Sequence, residues 1–259
     1  NYCEVAELGI RNQTLHKIDE FVYLTDIKEL HKIYLRIIEN YFNKIAEKDS
    51  LTSLNTAFSN EGAYIHITKN KLVEKPIQII HFSTGTEAAL LLQPRNLIVV
   101  DENAHVQIIE RHQSLTDNPS LTNSVTEIFA ANRGIVDYYK VQNDNENASL
   151  IDSTYINQEK ESHVSVHTFS FRGKLTRNNL NFYQNGEHID STLNGVTIIG
   201  NKQHVDHNTL VHHIEPNCES HQDYKGIFGD SAIGVFNGKV LVNKEAKKQM
   251  PFRLIITYS

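Results

Sequence analysis

Cysteine is scarce in this sequence: Cys3 and Cys218 are the only two among 259 residues, and they lie far apart. Two distant thiols provide no disulfide framework, and a self-contained iron–sulfur cluster needs about four thiolates. A reducing compartment fits this usage, so we expect a cytoplasmic protein. We also expect that this chain alone binds no zinc, iron or other cofactor.

Long apolar runs are missing as well. No run approaches the ~18 residues of a membrane-spanning helix, and residues 1–10 lack the basic start and apolar stretch of a signal peptide. A net charge of −6 opposes a general nucleic-acid binder. We therefore expect neither membrane nor nucleic acid as a partner. Because the first residue is Asn1 and not Met, we expect the chain to begin inside a longer protein or after a removed segment.

Motifs of phosphate binding and hydrolysis are also absent from the sequence. It contains neither G-x-x-x-x-G-K-[ST] nor G-x-G-x-x-G, so we expect no ATP binding. No nucleophile elbow with a Ser, His and Asp order is visible. One enzyme alternative stays open, a carbohydrate-active or acyl-transferring β-helix enzyme with a carboxylate-lined cleft. Glu102, Glu110 and Asp152 are available for it, but no pair stands out by spacing.

The hydrophobic pattern changes its period along the chain. Residues 26–48 place apolar side chains at helical spacing, which predicts an amphipathic helix. From about residue 61 the period is two, in many short segments that suit a sandwich, a barrel or a β-helix. Recurrent Asn and Asp at the segment ends favour the solenoid. The polar stretches 111–123 and 142–148 are predicted to be exposed loops.

Residues 204–239 combine histidines, one thiol and turn signals. Pro216-Asn217, Gly229-Asp230 and Asn237-Gly238 separate apolar runs, which predicts short strands joined by turns.

Metal or thiol chemistry has four weak candidates in and near this window: His207, His212, Cys218 and His221. Metal sites favour closely spaced ligands on one rigid element, but the offsets between these histidines alternate faces in a strand. We therefore interpret the histidines as surface, turn or core residues and Cys218 as a small buried side chain. No catalytic residue is predicted.

Two sets of residues resemble the SufB/SufD family of iron–sulfur cluster assembly proteins. The first set is Asp206, Thr209, His212, Pro216, Cys218, Ser220, Tyr224, Lys225, Gly226, Gly234, Val235, Phe236, Asn237, Gly238 and Lys239. The second set is similar to the SufD branch: residues 54–58, Gly62, residues 74–79, residues 93–96 and residues 102–104.

The resemblance implies a mainly β fold, a right-handed parallel β-helix preceded by a short α-helical segment. It also implies a non-catalytic scaffold that acts with SufB and the ATPase SufC, or pairs with itself as a homodimer. An iron–sulfur cluster would then form on the assembled complex and not on this chain.

The resemblance divides the chain into three parts. These are an N-terminal helical segment over 1–60, a β-helix core over 61–248 and an atypical tail over 249–259. A family-like continuation can be encoded so that loss of one base yields Gln249–Ser259, and we hypothesise that the tail is a frameshift product without a packing role. We expect the family's docking and cluster-assembly segments to be missing, and residues 204–242 to lie near a partly uncapped end that favours self-association.

Overall fold

A computed structural model describes residue 32, residues 49–84, 89–244 and 246, and the backbone of residues 252–258. The helix predicted over 26–48 lies outside these residues, apart from Lys32, which is helical. The elements are α1 (Ser50–Phe58), β1 (Tyr64–Ile67), β2 (Ile77–Ser83), β3 (Leu90–Leu92), β4 (Arg95–Val100), β5 (His105–Ser114), β6 (Ser120–Ala130), β7 (Ile135–Gln142), β8 (Ala148–Gln158), β9 (His163–Ser170), β10 (Leu175–Gln184), β11 (Asp190–Ile199), β12 (His204–His213), β13 (Glu219–Phe228), β14 (Ile233–Val242) and β15 (Phe252–Tyr258).

Successive strands from β4 onward alternate between two parallel sheets. The first sheet has the order β1-β4-β6-β8-β10-β12-β14, with β3 also paired to β6. The second has the order β15-β13-β11-β9-β7-β5-β2. Each coil thus contributes one strand to each sheet, and a residue pairs with another roughly 30 positions away: Leu175 pairs with Ser149 on one side and His204 on the other. The predicted parallel β-helix preceded by a short helix is confirmed.

Left-handed residues turn the chain from the first sheet to the second. Asn70, Asn103, Arg133, Glu161, His188 and Asn217 all have φ between 58° and 61°. Asn tolerates this conformation better than most residues, because its short polar side chain bonds locally. Three of these six residues are Asn, and Asn201 and Asp230 are also left-handed, between the second sheet and the first.

The interior contains a column of apolar side chains on the first sheet. Register partners stack in the order Ile98, Ile128, Ile156, Phe182 and Val211, all fully buried. Burial of such a side chain contributes about 1.5–3 kcal/mol. Since each coil covers its neighbour, the column grows with the number of coils.

Two predicted loop assignments are wrong in part. The stretch 111–123 is mostly strand, because β5 continues to Ser114 and β6 begins at Ser120. Asn237-Gly238 does not form a turn but lies inside β14, and neither residue has a positive φ. Parallel coils place their turns at the coil corners, so a short turn motif inside a paired strand is overridden by the ladder.

The backbone of the tail pairs with the second sheet. The backbone of Phe252–Tyr258 forms β15, which pairs in parallel with β13 from Ser220 to Gly226. Residues of this tail therefore extend the second sheet by one strand.

Helix α1 is attached to the first sheet through a polar face. Asp49 caps it by accepting from the Thr52 amide at 3.0 Å. The fully buried Asn55 amide donates to the carbonyls of Pro94 and Asn123 at 2.9 and 2.8 Å. Arg95 donates to the Thr56 hydroxyl at 2.8 Å. The sequence motifs around residues 54–58 and 93–96 are thus in direct contact.

Candidate functional site

The four candidates from the sequence do not converge. His207 points into the solenoid, whereas His212 bonds Asn243 at 3.0 Å on the outside. The His221 side chain is 43% exposed, and its Nε2 atom lies 3.4 Å from Glu219 Oε2. Cys218 is buried at a coil corner, where its thiol donates to the Gly186 carbonyl at 3.1 Å. Within the described residues these side chains form no common site.

Neither buried candidate is activated for chemistry. Burial raises the pKa of the Cys218 thiol, although backbone hydrogen bonds oppose this effect. Burial and the charge of Lys140 lower the pKa of His207 to about 4. The two ring nitrogens of His207 bond the Asn178 amide at 3.3 Å and the Thr197 hydroxyl at 2.9 Å. Cys218 is therefore a thiol and His207 a neutral imidazole at pH 7.

The solenoid interior contains a polar row beside its apolar column. We define the polar row as His81, Glu110, His112, Lys140, Gln142, Asp152, Asn178 and His207. Lys140 pairs with Asp152 at 2.8 Å, and the Gln142 amide donates to Asp152 at 3.3 Å. The Asn178 amide donates to Gln142 at 3.0 Å. Buried charge without a partner is costly, so these contacts account for the survival of charged groups in the core.

Three metal-ligating side chains of the polar row meet at its N-terminal end. His81 lies on β2 and is the register partner of His112 on β5, while Glu110 lies two residues before His112 on the same face. The Nε2 atom of His81 is 3.0 Å from Glu110 Oε1, and that of His112 is 3.6 Å from the same oxygen. The two imidazole rings stack with centroids 4.6 Å apart.

Glu110 is held as a carboxylate. Its Oε1 accepts from the Asn96 amide at 2.7 Å, and its Oε2 accepts from the Tyr138 hydroxyl. Burial opposes ionisation, but the hydrogen bond from His81 and the positive charges nearby outweigh it and lower the pKa of Glu110 to about 2. A fixed anion therefore faces both imidazoles.

The two imidazoles respond differently to their surroundings. Burial lowers the pKa of His112 despite the charge of Glu110. Burial also acts to lower the pKa of His81, but the hydrogen bond and charge of Glu110 raise it above its ordinary value. A cavity of about 150 Å³ adjoins this group and is lined by both imidazoles together with Glu61, Thr122 and Asp144.

The carboxylates of the enzyme alternative do not share a cleft. Glu102 lies at a surface turn, where it pairs with Lys69 and Arg133. Glu110 and Asp152 lie inside the solenoid and are 1 % exposed. Asp152 is neutralised by Lys140. These residues therefore do not present to a substrate the pair of carboxylates that glycoside hydrolysis needs.

His81 and His112 were not among the sequence candidates. Their separation of roughly 30 residues equals one coil, a distance at which neither strand periodicity nor a short ligand motif gives a signal. A comparison of histidines that lie one coil length apart in the sequence would have paired His81 with His112. That offset is known only after the register of the strands is known.

Comparison with known proteins agrees with this architecture. The family model "SUF system FeS cluster assembly, SufBD core domain" matches residues 81–251, and "SufBD protein N-terminal region" matches residues 5–79. The core match therefore runs from the last part of β2 past the end of β14.

Curated relatives carry the same family names. An iron–sulfur cluster assembly SufBD family protein of Synechocystis is 28% identical over 81% of this chain and 48% of its own length. SufD of Bacillus subtilis is 26% identical over 89% of this chain and 53% of its own length. SufD of Escherichia coli is 23% identical over 75% and 47%.

The chain spans about half the length of these curated relatives. Within the described residues, no helix combines the length and apolar character that crossing a membrane requires. The core model alone covers well over half of the sequence, and the described strands form a parallel solenoid. The chain therefore belongs to the SufBD family of iron–sulfur cluster assembly proteins.

Proposed function

We propose that this chain is a non-catalytic scaffold subunit in cytoplasmic iron–sulfur cluster assembly, acting in a complex with SufB and SufC homologues. The match of the family core model to residues 81–251 is the observation that carries the proposal. The cluster belongs to the assembled complex and is cargo of the assembly rather than a cofactor of this chain.

The outer face of the second sheet supports a role in protein association. Ile198 and Ile227 are register partners on β11 and β13, and their side chains are 47% and 57% exposed. Val196, two residues before Ile198 on β11, is also exposed, and so is Phe171, which directly follows β9. Exposed apolar side chains that lie together are typical of surfaces that bind another protein.

The placement of the carboxylates favours the scaffold over the enzyme. Glu102 is engaged with surface cations, and Asp152 is buried against Lys140. A hydrolase would present an acid and a base to a bound substrate. The proposal therefore assigns the chemistry of assembly to the complex.

Co-purification tests this function. The longer parent protein, co-expressed with SufB and SufC homologues, is expected to isolate with both, and iron and acid-labile sulfide are then assayed on the complex. The double variant Ile198→Lys/Ile227→Lys should lower the recovery of partner. Thr192→Lys, on the outer face of the same β11, is the matched control and should leave recovery unchanged.

Other outcomes contradict the proposal. Isolation of the parent protein without either partner, or as a homodimer only, would remove the proposed complex. Turnover of a polysaccharide or an acyl donor by the purified chain would favour the enzyme alternative. Unchanged recovery in the double variant would place the partner on another face.

A further inference from the structure

We propose that His81, Glu110 and His112 bind one divalent transition-metal ion of the Zn²⁺ and Fe²⁺ type at the N-terminal end of the polar row. The site goes beyond the scaffold function and does not depend on it. It departs from the expectation, drawn from the sequence alone, that this chain binds no zinc or iron. It also lies away from His207, His212, Cys218 and His221, the only positions at which the sequence suggested a metal.

The spacing of the three ligand atoms fits one ion. They all lie within 4.8 Å of one another, with separations of 3.0 and 3.6 Å from the imidazole nitrogens to Glu110 Oε1. Ligands about 2.1 Å from a tetrahedral ion are about 3.4 Å apart. Only small side-chain shifts are therefore needed for an ion to enter between the two imidazoles and the carboxylate.

One ligand atom is left unsatisfied in the absence of an ion. The Nε2 atom of His112 is buried and makes no hydrogen bond to any described residue. His112 is 6% exposed in its side chain. A buried polar atom without a partner destabilises the folded chain. Coordination would remove this cost, which gives a metal ion an advantage that a protein hydrogen bond does not supply here.

The surroundings of Glu110 resemble the outer shell of a metal site. Asn96 and Tyr138 donate to its two oxygens and fix the orientation of the carboxylate. Such outer partners orient ligands and raise metal affinity. The nearest buried cation of the polar row, Lys140, is already paired with Asp152, which limits its repulsion of a bound ion.

The ligand set determines the class of ion. Two imidazoles and one carboxylate suit borderline ions such as Zn²⁺ and Fe²⁺, whereas Mg²⁺ and Ca²⁺ prefer oxygen ligands. Three protein ligands leave at least one coordination position, and the cavity of about 150 Å³ lined by His81 and His112 gives that position room for water or a small ligand. His81 retains 19% exposure, which supplies an entry path.

Metal titration of the untagged, metal-free chain tests the site. Zn²⁺ competed against a chromogenic chelator, and Fe²⁺ titrated under anaerobic conditions, should each bind at one ion per chain, while excess Mg²⁺ should not displace Zn²⁺. His81→Gln and His112→Gln should each weaken Zn²⁺ binding by more than about 100-fold. His221→Gln is the control, because His221 also lies beside a carboxylate, Glu219, but on the surface.

Folding of each variant is checked by circular dichroism before titration. If His112→Gln does not fold, the partly exposed His81→Gln decides. The spectrum of the Co²⁺ form of the unaltered chain decides independently, since nitrogen and oxygen ligation produces no sulfur-to-metal charge-transfer band. Substoichiometric binding, binding insensitive to both variants, loss of binding in His221→Gln, or a thiolate band would each overturn the proposal.

Discussion

At the scale of single residues, His207 shows how the solenoid changes the chemistry of a side chain. It is 6% exposed, and its neighbours Asn178 and Thr197 satisfy both ring nitrogens without supplying a negative charge. Burial therefore acts against protonation, and the pKa of His207 falls to about 4.

This shift predicts a loss of stability in acid. The unfolded chain takes up the proton near pH 6.5 and the folded chain only near pH 4, so stability falls as the pH falls through this window. We expect the free energy of unfolding to lose about 2–3 kcal/mol more between pH 7 and pH 4.5 in the unaltered chain than in His207→Gln. Urea unfolding at both pH values measures the difference. Equal losses in the two chains would mean that His207 is protonated when folded.

Single residues also show which contacts could be predicted from the sequence and which could not. Cys218 was predicted to be a buried thiol at a turn, and the structure places it there, with Gly186 as its acceptor. His207 and His212 lie on opposite faces of β12, as their odd offset within one strand indicates. His81 and His112 were missed, because their contact depends on the register between strands.

At the scale of elements, α1 differs from an ordinary amphipathic helix. Its buried residues are Thr52 and Asn55, and both are polar. Thr52 bonds the Tyr155 hydroxyl at 2.8 Å, and the amide of Asn123 returns a hydrogen bond to the Leu51 carbonyl at 2.9 Å. Apolar periodicity does not reveal a helix whose buried face is polar, so the sequence pattern did not predict α1 as a separate element.

Loss of the Asn55 side chain should detach α1 from the first sheet. Asn55→Ala removes two buried hydrogen bonds, to the carbonyls of Pro94 and Asn123, although the Pro94 carbonyl keeps the Val125 amide as a donor. A buried hydrogen bond contributes about 0.5–1.5 kcal/mol net, so we expect a loss of about 1–3 kcal/mol in the free energy of unfolding. Chemical unfolding measures it.

Ser53→Ala is the matched control for this prediction. Ser53 is exposed on the opposite side of α1, and among the described residues its hydroxyl bonds only the Asp49 carbonyl, at 3.0 Å. Alanine is a good helix former, so this change should alter stability by less than about 0.5 kcal/mol. Similar losses in both variants would show that the contact of Asn55 with the first sheet does not determine the effect.

The presence of the strands was predicted better than the residues at which they begin and end. Alternation of apolar and polar residues identified most strands after residue 61, since one side of each strand faces the solenoid interior. Boundaries failed where polar residues face inward, as Glu110 and His112 do on β5. A buried polar row removes the contrast on which alternation depends, so the last four residues of β5, 111–114, were assigned to a loop.

At the scale of the whole molecule, the solenoid fold itself depended on the family resemblance. Even spacing of short strands admits a sandwich or a barrel as well. What distinguishes a solenoid is the pairing of residues one coil apart, such as Ile98 with Ile128. This pairing produces no sequence repeat of fixed length, because the number of residues in a coil varies with the loops at its corners.

The end of the first sheet leads to a prediction about assembly. Among the described strands, β14 is hydrogen-bonded only to β12, so one edge of β14 is unpaired. Its side chains Ile233, Val235 and Leu241 are 53%, 41% and 37% exposed. An unpaired edge with apolar side chains is a template for another strand. We expect the chain to self-associate as its concentration rises.

Light scattering over a range of protein concentrations measures this association. The weight-average mass should rise above the 29.6 kDa of one chain. Val235→Lys/Leu241→Lys should keep it near that of one chain, because charged side chains at an edge repel a second strand. Lys239→Glu, also on β14, changes a charge without removing apolar surface and should leave association largely intact. A chain that stays monomeric at high concentration would show that the edge of β14 is closed to a second copy.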